Sequence, residues 1–346
     1  MIFHIVLSLL SVSLLVSASN RIYSSGTRML KHRRIGGINN NSTAGDYRRA
    51  PKLFRVTDQY TGSNFFDGWD FFSQADPTNG NVNYLNKNDA FAKKLAFVEN
   101  GTAVMKVDDT NFIGAGQNRD SVRIASTKTY TGGLFVLDVQ TMPHGCGVWP
   151  AWWTVGSEWP NNGEIDILEG VHDQQFNQMT LHTAAGCSLD TGLIKPKSTI
   201  LTRDCNAAVN FNTGCAFLDT DTASYGAGLN AAGGGVFAML WDDDGISVWF
   251  FPRNSVPADL QNLTDKGAMA NPTTWGVPKA HWASSGCSTT KFFKNHSLVF
   301  DTTLCGDWAG ATYSSAGCPG TCADRLKDPA NFKDAVWRIN SVTVMN

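Results

Sequence analysis

Between Gly163 and Gly170 the chain reads Glu164-Ile165-Asp166-Ile167-Leu168-Glu169, three carboxylates interleaved with aliphatic side chains. Carboxylates gathered in this way can divide their labour, one ionised and nucleophilic, another protonated and acidic, which is the chemistry that opens an acetal. The alternation predicts an extended strand with one charged and one buried face, because successive side chains of a strand point to opposite sides. Glu164 and Asp166 then share a face. Glu169, five residues beyond Glu164, would point into the core, where an unpaired carboxylate is costly. A β-bulge at Ile167-Leu168 removes the conflict. It turns both isoleucines and Leu168 inward and returns Glu169 to the acidic face. The two glutamates are then roughly 13 Å apart at Cα, two strand repeats at ~3.4 Å per residue. Leaning side chains bring the carboxyls near the ~5–5.5 Å of a retaining two-carboxylate mechanism; an inverting one needs more room for a water. Crowding three carboxyls raises at least one pKa, which keeps an acid protonated near neutrality. The plainer readings are a solvated acidic face or a calcium site, although calcium favours loop ligands and carbonyl oxygens over one flat strand.

The setting of the acids is aromatic. Trp149, Trp152, Trp153 and Trp159 fall within eleven residues just upstream. Sugar rings have apolar C–H faces that stack on indoles, while their hydroxyls need polar partners at a rim. If residues 147–154 form a strand, Trp149, Ala151 and Trp153 face one way and Trp152 the other. Trp149 and Trp153 are therefore assigned to a cleft and Trp152 to the core, and Trp159 to a loop near the reacting bond.

The elements that must hold these residues are mostly strands. Residues 102–107, 121–130 and 133–140 have the short, β-branched, alternating pattern of half-buried strands. Residues 236–241 and 246–251 flank Asp242-Asp243-Asp244-Gly245, a strong hairpin signal because Gly accepts positive φ, and residues 336–344 read as a closing strand. Helical periodicity is scarce, with a short turn at 324–332 the best case, and Gly233-Gly234-Gly235 reads as a flexible loop. The expected fold is all-β, a two-sheet antiparallel jelly-roll sandwich with a concave substrate cleft.

Three segments are expected in the 346 residues. Residues 1–18 are apolar and end in Val16-Ser17-Ala18, the pattern of a secretory signal peptide; a membrane anchor is the rival reading. Residues 19–51 form a basic pro-segment or disordered linker, with a dibasic Arg48-Arg49 as a processing site. Residues 52–346 form one catalytic domain. The basic stretch carries seven of the 28 basic residues and one of the 30 acidic ones, leaving 21 against 29 elsewhere, a net charge of −8. That acidic body argues against a nucleic-acid partner. No later segment is long and apolar enough to span a bilayer, so no membrane association is expected after signal cleavage. Eight cysteines in a secreted chain predict disulfides, with 105 pairings available; short loops favour Cys205 with Cys215 and Cys318 with Cys322. Their spacings do not fit zinc. Sequons at Asn40, Asn41, Asn100, Asn262 and Asn295 agree with a secreted, glycosylated protein. There is no G-x-S-x-G and no phosphate loop.

The run Pro143-His144-Gly145-Cys146-Gly147-Val148-Trp149-Pro150-Ala151, continued through Gly163 to Glu169, resembles glycoside hydrolase family 16, and most closely its fungal laminarinase-like branch. Gly62 to Phe66, Asp76 to Gly80, Gln178 to Thr183 and Leu304 to Trp308 share in the resemblance, which covers about residues 52–346. It implies a monomeric secreted endo-hydrolase of β-1,3- and mixed β-1,3/1,4-glucans, acting with retention and without a cofactor. It further implies Glu164 as nucleophile, Glu169 as acid/base and Asp166 as modulator of the nucleophile. Asn83, Arg123 and His182 fall in stretches that resemble cleft-lining strands and are carried over as hydroxyl binders. The five-residue spacing of the glutamates goes with laminarinase-like members, and the tighter Glu-x-Asp-x-Glu form with lichenases and transglycosylases. A wall-remodelling transglycosylase and a non-catalytic glucan-binding protein of the same fold are the alternatives. Leu240-Trp241-Asp242 stands where a more polar Glu-Trp pair is expected, which points to different distal subsites. Some members bind a structural calcium, for which no motif is present here.

Overall fold

A computed structural model describes residues 52–346 except 262 and 264. The signal and basic segments, and the sequons at Asn40, Asn41 and Asn262, lie outside the described residues.

Alternating side chains give two large antiparallel sheets. One has eight strands, in the order Thr199–Ile200, Cys215–Leu218, Gln178–His182, Glu164–Glu169, Val148–Gly156, His296–Leu304, Arg123–Ser126 and Trp69–Phe71. The other has nine: Met269–Ala270, Phe54–Thr61, Val336–Met345, Gly133–Thr141, Gly235–Asp242, Gly245–Pro252 and Ala280–Ala283 in order, with Thr102–Lys106 and Ala96–Glu99 paired off this path. The sheets pack face to face as the jelly-roll reading requires. Trp152, Ile165, Ile167, Leu168, Leu181 and Phe300 from the first meet Phe135, Leu137, Phe237, Met239 and Val342 from the second in one buried core.

The nine-stranded sheet is covered on its outer face as well, where Leu134, Val136, Ala238 and Leu240 pack under Leu260, Leu263 and Trp275. Burial on both faces explains the unbroken apolar run Val236-Phe237-Ala238-Met239-Leu240-Trp241, which alternation alone does not predict. It also corrects the reading of Leu240-Trp241-Asp242. Leu240 belongs to this outer cluster, Trp241 to the core between the sheets, and Asp242 pairs with Lys52 at 2.8 Å. None of the three lies on the acid-bearing sheet.

Other expectations are adjusted in detail. The strand expected over 121–130 is two short ones, Arg119–Ser121 and Arg123–Ser126, on different partners; the first pairs in parallel with Val82–Tyr84. The turn expected over 324–332 is an α-helical turn at Cys322–Arg325 and a 3-10 turn at Pro329–Phe332. Gly234 is a packing requirement: a Cβ there would come within 2.0 Å of the Val139 carbonyl oxygen.

Four disulfides use all eight cysteines: Cys146–Cys318, Cys187–Cys287, Cys205–Cys215 and Cys305–Cys322. The Cys205–Cys215 pairing stands, and Cys318 with Cys322 does not. Cys322 opens a helical turn capped by Thr321, and each of these two cysteines reaches instead for a strand terminus: Cys146 before Val148–Gly156, Cys305 after His296–Leu304. Among the described residues no helix is long and apolar enough to cross a membrane.

Candidate active site

The acidic strand carries the bulge. Along its ladder to Gln178–His182, Glu164 lies opposite His182, Asp166 opposite Thr180 and Glu169 opposite Gln178, so one extra residue sits between Asp166 and Glu169. On the other side Asp166 faces Trp153 and Leu168 faces Trp152, with the register shifting between them. Ile165, Ile167 and Leu168 are fully buried, whereas Glu164 and Glu169 are half-buried on the opposite face with Asp166 between them.

A bulge leaves backbone groups without ladder partners, and Asn177 supplies them. Its side-chain oxygen accepts from the Glu169 N–H at 2.9 Å, and its amide donates to the Ile167 carbonyl at 2.8 Å. Asn177 is 1% exposed, and its own N–H donates to Ser224 Oγ at 3.0 Å. Sequence reasoning located the bulge but missed this clamp, which lies eight residues away from Glu169. Asn177→Ala is expected to destabilise the protein by about 2–6 kcal/mol, because two buried backbone groups lose partners at ~1–3 kcal/mol each. Guanidinium unfolding checks this; a midpoint equal to the parent's would remove the clamp from the account.

Burial, then the charge of Asp166, pushes the Glu164 carboxyl up to about 8, against the lowering influence of His182, the Trp159 indole N–H and Arg123. Glu169 is held well above the ordinary carboxylate range, again first by burial and then by Asp166, and opposed by the Trp149 indole and His182. Trp149 Nε1 donates to Glu169 Oε1 at 2.9 Å. His182 Nε2 lies 3.3 Å from Asp166 Oδ2, and its Nδ1 bonds Asn212 Oδ1 at 2.8 Å. Burial works against charge on His182, but the bond to Asp166 and the fields of Glu164, Asp166 and Glu169 outweigh it and lift the imidazole to about 10. Donor atoms of Glu164, Asp166 and His182 all lie within 4.8 Å of one another, close enough to grip a metal ion. A metal ion there would have to displace the imidazole proton that Asp166 and the two glutamates favour.

The rest of the sheet face extends the site. Trp149 meets Trp308 edge-on at 5.5 Å, a partner that the sequence placed only within a matching stretch. The Arg123 guanidinium lies 5.0 Å from the Trp153 ring centre and 4.7 Å from that of Phe72, and pairs with Asp301 at 3.6 Å. Asp301 was not singled out from the sequence; burial pushes its carboxyl up to about 7, with Arg123 opposing and Asp76 assisting. Trp152 is fully buried and Trp159 is 45% exposed. Asn83 lies on the small two-stranded sheet of Val82–Tyr84 and Arg119–Ser121, separate from the sheet that carries the acids. Its amide donates to Asp120 at 2.6 Å, while its neighbours Val82 and Tyr84 point the other way and are buried. Period two assigns the inward role to Tyr84.

Comparison with known proteins agrees with this geometry. Residues 69–345 match a family model described as an XgeA-like, catalytic GH16 domain. The chain is 40% identical over 297 residues to a probable glycosidase of Schizosaccharomyces pombe, covering 85% of this chain and 69% of that one. It is 40% identical over 312 residues to a probable endo-1,3(4)-beta-glucanase of Aspergillus fumigatus, covering 86% of this chain and 46% of that one. The chain thus spans about half the length of the Aspergillus relative. Among solved structures it is similar to laminarinase 16A from Phanerochaete chrysosporium with beta-glucans in donor and acceptor sites, at 39% identity and a TM-score of 0.81, covering 85% of this chain and all of that one. It is also similar to an elongating GH family 16 beta-1,3-glucosyltransferase, at 36% identity and a TM-score of 0.76, with coverage of 85% and 100%.

Proposed function

Because this chain belongs to glycoside hydrolase family 16, we propose that it hydrolyses internal β-1,3 and mixed β-1,3/1,4 bonds of β-glucans with net retention, outside the cell. The observation that carries the reading is the bulged register, which sets Glu164, Asp166 and Glu169 on one face of one strand. The relatives named above as glucanase and laminarinase support the substrate class. Four disulfides support an oxidising, exported setting.

The charge pattern supports the roles that the family resemblance implies. Two cations, His182 and Arg123, act on Glu164, whereas His182 alone is prominent at Glu169. The shared proton therefore favours Glu169 and leaves Glu164 ionised, as an acid and a nucleophile require. Glu164 attacks the anomeric carbon while Glu169 gives its proton to the departing glycosidic oxygen. Water, deprotonated by Glu169, then attacks the same carbon and breaks the ester to Glu164. Asp166 and His182 hold the nucleophile's charge balance. Trp149, Trp153 and Trp159 present stacking surface, and Arg123 with Asp301 offers polar contact for sugar hydroxyls. A digest of laminarin, lichenan, cellulose and xyloglucan with sized products tests the reading; failure to shorten both laminarin and lichenan would end it. The similarity to a glucosyltransferase favours a second reading, transfer of the glycosyl group to a sugar instead of water. Incorporation of a labelled acceptor oligosaccharide into longer products distinguishes it.

His182→Asn tests the charge balance. Removing a cation beside a carboxylate raises that carboxyl's pKa by about one unit or more, so the acid limb of kcat/KM is expected to move to higher pH. A limb that stays in place would take His182 out of the balance.

A further inference from the structure

The loop closed by the Cys205–Cys215 disulfide holds a fully exposed phenylalanine, Phe211. Three successive residues there are left-handed: Asn210 at φ 51°, Phe211 at φ 55° and Asn212 at φ 58°. Asparagine tolerates that conformation, whereas a phenylalanine adopts it at a cost. Exposure of an apolar ring adds a second cost, so the fold keeps Phe211 outward against both.

The loop is fixed to the active site. Asn212, the residue after Phe211, bonds His182 at 2.8 Å, and His182 stands opposite Glu164 in the sheet. The Thr183 N–H donates to the Cys205 carbonyl at 2.8 Å and the Ala207 N–H to the Thr183 carbonyl at 2.9 Å. Gly214 sits so close to the strand that a Cβ would lie 2.6 Å from the Leu181 carbonyl oxygen and 2.9 Å from the His182 ring. The Trp159 loop is tied to the same segment, since the Ala184 N–H donates to the Pro160 carbonyl at 3.1 Å. Residues 182–184 therefore carry two loops, each with an exposed aromatic ring, at the Glu164 end of the acidic strand.

We propose that Phe211 is a stacking platform for a glucosyl ring of the bound β-glucan, at the Glu164 end and beyond the sugar that Trp159 covers. The chemistry fits a sugar better than a protein. One exposed ring on an anchored backbone offers a flat apolar face to the C–H face of a pyranose, but far less area than the ~1,000 Å² a protein partner needs. This assignment rests on the β-glucanase reading and adds a contact that only longer chains reach.

Phe211→Gly is the decisive variant, because glycine takes the left-handed conformation without steric cost and keeps the loop while removing the ring. Laminaritriose and laminariheptaose are titrated calorimetrically into Glu164→Gln protein with and without Phe211→Gly. The expected result is a loss of about tenfold in affinity for the heptaose, less than twofold for the triose, restoration by Phe211→Tyr and an undiminished Tm. Equal losses for both lengths, no loss for either, or a lowered Tm that tracks the loss would overturn the platform. Binding of neither sugar by the Glu164→Gln parent would instead sink the β-glucan reading itself, so the two failures are distinct.

Discussion

Glu164→Gln is expected to lower the release of reducing sugar from laminarin by on the order of 10⁴-fold or more, as removal of a covalent nucleophile does, while glucan binding survives. The amide has the carboxylate's shape, and its oxygen can still accept from the Trp159 indole directed at this position. It cannot form the glycosyl ester. Nothing in the bulge depends on the charge, since the register is set by the burial of Ile165, Ile167 and Leu168 and by the Asn177 clamp. Initial rates on laminarin, paired with affinity electrophoresis in the same polysaccharide, separate the two effects. Release near the parent rate would remove Glu164 from the nucleophile's place. A parent protein that binds but releases nothing would favour the non-catalytic alternative.

The same variant has a stability signature with a fixed sign. Burial and Asp166 raise both glutamate carboxyls in the folded protein, Glu164 from 4.5 to about 8, so the folded state holds the proton that the pair shares more tightly than the unfolded chain. Its stabilising contribution is complete below about pH 4.5 and is lost as pH rises toward 8. Glutamine has no proton to lose. Glu164→Gln should therefore match the parent's Tm at low pH and exceed it by roughly 2–4 °C for each kcal/mol relieved near neutrality, as expected for a large domain.

How much of this was legible follows from which residues carry period-two information. The bulge was readable because a fifth-position acid cannot be buried alone, and the tryptophan strand divided as alternation requires, with Trp152 inside and Trp149 and Trp153 outside. Asn83 was drawn from resemblance, although period two put its buried neighbours Val82 and Tyr84 on the inner side. Asn177, Asn212 and Asp301 act across strands, and one sequence does not encode which strands become neighbours. The pairing of Cys146 with Cys318 spans 172 residues and was hidden for the same reason. Phe211 was invisible for a different one: its exposure follows from three left-handed residues in a row, a conformation that a phenylalanine in the sequence does not announce.

Glu169→Ala should separate substrates by leaving group. On laminarin, whose departing sugar oxygen needs a proton, loss of a general acid costs about 10²–10⁴-fold. An aryl glycoside with an acidic phenol departs unaided, so its first step persists and the glycosyl-enzyme accumulates because no base activates water. Azide needs no base and fits the space the carboxylate leaves; it should accelerate turnover and yield a β-glycosyl azide, retention at carbon being the product of two inversions. The alkaline limb of the pH profile should vanish too, since it reports the proton that burial and Asp166 hold on Glu169. Trp149 would lose its acceptor, yet its ring stays against Trp308, so stacking and KM should change little. Equal losses on laminarin and aryl glycosides, with no azide product, would move the acid/base role to another carboxyl, and Asp166, crowded between both glutamates, would be the next to replace.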